Sequence, residues 1–136
     1  MNIDKYRTDH VEIMRLVTDL KQLVLAGVEK QPDTIAQKVV AISSTIKLHL
    51  AIEDQVLYPA LKRSSLPEVA KTALRFQQEM GPIAVDFSAF ARRWNTGHKV
   101  VAEPGVMRLD AIAMVERIHR RMQQENRELY PLAERA

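Results

Sequence analysis

The sequence predicts an all-α chain: an up-down-up-down antiparallel bundle of four helices whose two halves repeat each other. Three observations lead there. Apolar residues recur at spacings of three and four almost end to end. Turn-forming residues gather in three interruptions, Gln31-Pro32-Asp33, Ser64-Ser65-Leu66-Pro67 and the stretch from Asn95-Thr96-Gly97 to Glu103-Pro104-Gly105. No segment shows the period-two alternation and tight Asn-Gly turn of a hairpin.

Each element follows from its stripe. The first helix is expected over about 3–26, with Ile3, Tyr6, His10, Ile13, Val17, Leu20 and Val24 on one face and Gly27 closing it. A second, about 33–63, starts at Asp33 as N-cap and carries Ile42, Ile46, His49, Glu53 and Leu57. The third, about 67–94, has Pro67 in its first turn and Ala73, Phe76, Met80, Ile83, Ala84 and Phe87 inward, with Trp94 capping the core. Gly81-Pro82 is expected to kink or loosen it. The fourth, about 104–134, presents Met107, Met114, Ile118, Arg121, Glu125 and Leu129, and residues 95–105 before it read as the longest loop. All of 1–136 is expected to form a single domain, a length that can bury a real core.

Composition removes several classes of function. There is no cysteine, so disulfides, iron–sulfur clusters and thiolate zinc sites are excluded. The net charge of +3 is spread over short basic pairs and only 5% of residues are aromatic, so no nucleic-acid partner is expected. The polar start, MNIDKYRTDH, is unlike a secretory signal. No uninterrupted apolar run nears the ~18 residues of a membrane span, so no membrane association is expected and the cytoplasm is the expected compartment.

Two stretches carry the chemistry. HLAIEDQVLYPA (49–60) and RMQQENRELYPL (121–132) align so that Glu53 matches Glu125 and Leu57-Tyr58-Pro59 matches Leu129-Tyr130-Pro131, while His49 faces Arg121. His49 and Glu53 are four residues apart and share one helix face, a spacing at which an imidazole and a carboxylate reach one metal ion. His10, His49, Glu53 and Glu125 all lie on core-facing stripes, where ionisable groups need partners or a metal. Spacing alone leaves other readings open: a self-satisfied His49–Glu53 pair, a core histidine at 10, and a Glu125–Arg121 ion pair.

Asp9-His10-Val-Glu-Ile resembles the first-helix motif of the hemerythrin-like (HHE cation-binding) domains. His49-Leu-Ala-Ile-Glu53 followed by Leu57-Tyr58-Pro59 is similar to their second-helix motif, and Glu125 with Leu129-Tyr130-Pro131 to their fourth-helix ending. The resemblance covers roughly residues 3–134. It implies a non-haem di-iron site: one iron held by histidines of the first and second helices, the other by two of the third and one of the fourth, with two bridging carboxylates. This chain keeps His10, His49, Glu53 and Glu125 but has Met80 and Ala84 at the third-helix positions and Arg121 at the fourth. The resemblance therefore implies a reduced site for one iron ion, another divalent metal, or none. Arg121 is expected to fork between Glu53 and Glu125 and neutralise both. Asp54 and Asn126 are expected to hydrogen-bond ligand groups, Tyr58 and Tyr130 to mark the helix ends near the site, with a redox or hydrogen-bonding role there as the alternative, Met80 to pack, and His98 and His119 to face solvent.

The expected function is cation binding, with sensing or storage of metal, oxygen or nitric oxide as the role, and no enzymatic activity. A protein partner or homodimer is compatible with this reading. The alternative is a metal-free regulatory or interaction bundle built on Arg121 and its carboxylates. Both place the chemistry at the same core layer.

Overall fold

The computed structural model describes all of residues 1–136 and is helical throughout its ordered elements. Helix α1 is Asp4–Ala26, α2 is Pro32–Lys62, α3 is Pro67–Arg93, α4 is Gly97–Ala102 and α5 runs over 104–135. There are thus four long helices and a short fifth. The expected loop at 95–105 folds instead into α4, whose first turn is capped by Thr96 Oγ1 accepting from Lys99 N at 3.2 Å. Six residues are too few to show a periodicity, which hid this element. It packs against α2, so closely that a Cβ on Gly97 would lie 1.9 Å from Asp33 Oδ1. Asp33 lies in the first turn of α2 and makes no cap; Gln31 precedes the helix and Pro32 opens it.

The apolar stripes form the core as expected on α1, where Ile3, Tyr6, His10, Ile13, Val17, Leu20 and Val24 are all buried. Gly27 closes that helix at φ 130°, a value that favours glycine. Helix α3 stays helical through Gly81-Pro82, both of which face outward; Ile83 and Ala84 are only partly buried. Pro82 removes one N–H from the helix ladder, the one that would meet the carbonyl of Gln78, and the helix continues past it.

Helix α2 departs from one expectation. By length and composition it is apolar enough to cross a bilayer. The residues responsible include the core stripe Ile35, Val39, Ile42 and Ile46, and the same helix carries the buried His49 and Glu53. Interleaved polar residues kept this from reading as one apolar run.

The core divides into two apolar clusters. The larger has 21 residues, from Ile13 to Met122 in sequence; the smaller has 11, combining Ile3 and Tyr6 with Leu57, Phe76, Leu129 and Tyr130 among others. His10, His49, Glu53, Arg121 and Glu125 are buried but belong to neither. They form a polar layer between the two.

Candidate metal centre

Both glutamates of the polar layer open a π-turn. Glu53–Leu57 in α2 and Glu125–Leu129 in α5 each have a wide turn, closed by the N–H of Tyr58 onto Glu53 O and of Tyr130 onto Glu125 O. Such turns occur mostly at functional sites. Each holds one residue more than an α-turn, so side chains five apart share a face. Glu53 with Tyr58, and Glu125 with Tyr130, therefore all point into the core. The following Pro59 and Pro131 have no N–H to continue the normal ladder.

Helix α1 supplies His10, α2 supplies His49 and Glu53, and α5 supplies Glu125; the ligand atoms of these four lie within 4.8 Å of one another. His10 Nε2 is 3.1 Å from His49 Nε2 and 2.9 Å from Glu125 Oε1, and His49 Nε2 is 3.4 Å from Glu53 Oε1. A coordination shell of about 2.1 Å radius sets neighbouring donors about 3.0–3.4 Å apart, so the four fit a single small cation. The far ring nitrogens are tied down: His10 Nδ1 donates to Asn126 Oδ1 at 2.9 Å and His49 Nδ1 to Asp9 Oδ2 at 3.1 Å. In the neutral imidazoles this leaves each Nε2 as a lone pair facing the centre, the way ligating histidines are held. Two facing lone pairs repel unless a proton or a cation lies between them. Glu53 Oε1 is fully buried with no hydrogen-bond partner, its approach to His49 Nε2 being unaligned. An orphan carboxylate oxygen of this kind is unusual in a core, and a cation would satisfy it.

The other side of the layer is organised by Arg121, 2% exposed. Its Nε donates to Glu125 Oε2 at 2.9 Å, and Nη2 donates to the Phe76 carbonyl at 2.7 Å and, more weakly, to Tyr58 Oη at 3.4 Å. Nη1 lies 3.8 Å from Glu79, and the guanidinium carbon sits 4.7 Å above the Phe76 ring. The expected fork onto both carboxylates is not formed. Arg121 holds Glu125 alone, because its second arm is drawn to Phe76 on α3. Glu53 instead accepts the Tyr130 hydroxyl on Oε2 at 2.9 Å.

Charge follows this arrangement. Burial raises the Glu53 carboxyl, and the charge of Glu125 raises it further. Burial alone would raise Glu125 too, but its contact with His10 and the charge of Arg121 outweigh that and hold it low. For His49, burial works against the imidazolium; Glu53 and Asp9 overcome it and push the group up to about 9. Without a metal, His49 thus carries the proton that separates the two ring nitrogens. Tyr130 and Tyr58 are raised by burial and by the neighbouring carboxylates.

All four residues expected as ligands are brought together, and Arg121 stands beside Glu125. Met80 is buried as packing, and His98 and His119 are exposed. Asn126 takes the expected supporting place, whereas Asp54 faces solvent and accepts from Gln77 Nε2 at 3.3 Å. Asp9, whose only signal was its place before His10, supports His49. Tyr130 was expected first as a landmark near the helix end, with a hydrogen-bonding or redox role at the site as the lesser reading. Its hydroxyl lies 2.9 Å from His10 Nε2, 2.9 Å from Glu53 Oε2, and 3.5 Å from both His49 Nε2 and Glu125 Oε1. The repeated Leu-Tyr-Pro after each glutamate was the signal; its meaning depended on the π-turn.

No curated protein and no solved structure matches the chain. The family model described as the hemerythrin HHE cation binding domain matches residues 1–133. With buried histidines and glutamates gathered as a cation would require, the chain belongs to the hemerythrin HHE cation-binding domain family.

Proposed function

We propose that the protein binds one divalent metal ion, iron being the expected one, through His10, His49, Glu53 and Glu125, with Arg121 in place of a second ion. The observation that carries this reading is the pair of converging Nε2 atoms, 3.1 Å apart, with both Nδ1 positions committed elsewhere. The unpartnered Glu53 Oε1 beside them supports it. Nothing comparable survives across the layer, where Met80 and Ala84 offer no imidazole.

A bound ion would supply a Lewis-acidic position for a small diatomic ligand and, if iron, one redox equivalent. The chain's own residues do the rest. Asp9 and Asn126 orient the imidazoles, Arg121 keeps Glu125 ionised, and the two apolar clusters exclude water from the layer. We read the role as sensing or storage of metal, oxygen or nitric oxide in the cytoplasm, by binding and not by catalysis. The long helices are taken as one domain, an up-down-up-down antiparallel bundle with a pseudo-twofold axis relating Glu53 to Glu125; the matching π-turns support that symmetry.

A metal-free bundle is the second reading, favoured by the three hydrogen bonds that Arg121 makes inside the core. Elemental analysis after anaerobic loading with Fe²⁺ and removal of loose ions separates the two. The proposal expects about one ion per chain, lost in His49→Ala. Absence of tight metal leaves the metal-free bundle, and about two ions per chain overturns the assignment of Arg121.

A further inference from the structure

Tyr130 Oη approaches all four candidate ligands, at distances from 2.9 to 3.5 Å. Those are spacings between neighbouring donors on one coordination shell, and too long for Oη to stand at the centre of it. A phenol has a single proton to donate, and Glu53 Oε2 is placed to take it. That leaves the 2.9 Å approach to His10 Nε2 unexplained in the tautomer selected by Asn126, for both atoms then present lone pairs. The same cation that relieves the two imidazoles relieves this contact.

We infer that the Tyr130 phenol oxygen is a fifth protein ligand, completing with His10, His49, Glu53 and Glu125 a mononuclear site of two nitrogen and three oxygen donors. The inference rests on the one-metal reading above. Binding exchanges the phenol O–H bond for an O–metal bond and releases the proton to the medium. Two carboxylates and a phenolate give a hard, anionic set, which suits a ferric ion better than a ferrous one. Tyr58, at the matching position, meets Arg121 instead and stays a phenol.

The test loads the full chain with ferric ion supplied as its citrate complex and reads both metal content and visible absorption. A phenolate-to-iron charge-transfer band is expected in the natural protein and in Tyr58→Phe. In Tyr130→Phe the band is absent while about one ion per chain remains, bound at least ~10-fold more weakly. One ferric ion with no such band, or a band that survives Tyr130→Phe, overturns the inference and leaves the phenol as a brace for Glu53. Failure of every form to hold ferric ion overturns this inference, and the one-metal reading falls with it only where anaerobic Fe²⁺ loading also leaves the chain empty. Should Tyr130→Phe not fold, resonance Raman of Tyr58→Phe with ring-deuterated tyrosine decides, since iron-bound phenolate modes shift on labelling and a free phenol shows none.

Discussion

The two sides of the polar layer solve one electrostatic problem differently. On the α1–α2 side, His10, His49 and Glu53 converge and leave a carboxylate oxygen without a partner. Facing α3, a covalently attached cation, Arg121, occupies the corresponding place and donates to Glu125, the Phe76 carbonyl and Tyr58. Each side has its own tyrosine, delivered by its own π-turn from the opposite half: Tyr130 to the histidines and Tyr58 to the guanidinium. The difference is between a charge that can exchange and one that cannot. A buried carboxylate pair tolerates either, provided both carboxylates are compensated.

The largest effect is expected from removing the fixed charge. Arg121→Met leaves Glu125 buried beside Glu53 without its ion pair, and the metal-free protein should lose about 3–5 kcal/mol in denaturant unfolding. A loss near zero would mean that His10 alone compensates Glu125 and that the two sides are not equivalent.

Next is the pH dependence of the metal-free protein. The His49 imidazolium is favoured in the fold, up to about 9 against 6.5 for the ordinary group. Its contribution is complete below pH 6.5 and disappears as pH rises through about 9, a loss of roughly 3 kcal/mol. Ion binding competes with that proton, so apparent metal affinity should rise over the same interval. Unfolding midpoints measured across it, with and without metal, check both signs; a metal-free protein equally stable at both ends removes His49 as the proton holder.

The smallest contrast concerns the residues that follow the two glutamates. Asn126→Ala should weaken metal binding about 10–100-fold by freeing the His10 ring, whereas Asp54→Ala should leave it unchanged. Equal effects in a metal titration would show that support for the site extends to both halves.

Much of this was legible in the sequence because it is periodic. The stripe from Ile3 to Val24 and the four ligand candidates lie at three- and four-residue steps, so the α-helical period alone put them inside. What the period could not show is its own interruption. Tyr130 is five residues past Glu125, off the face in an α-helix and on it in a π-turn. The second arm of Arg121 was equally hidden, because its acceptor is a backbone carbonyl, at Phe76, and carbonyls carry no sequence signal. Pro82 leaves the helix continuous on an outward face, and the period on both sides of it carried the expectation of a single third helix.

The division of the core into two clusters also sets an order of events. The larger one is assembled from residues between Ile13 and Met122, but the smaller joins Ile3 and Tyr6 to Leu129, Tyr130 and Ala133, and Arg7 reaches Glu134 at 2.7 Å. During synthesis that end stays open until residues 129–134 have emerged, since they close a loop back to Ile3, Tyr6 and Arg7. Glu125 and Tyr130 arrive with it. The ligand set is therefore whole only once Tyr130 is out, and a chain cut before Glu125 keeps only His10, His49 and Glu53 of it.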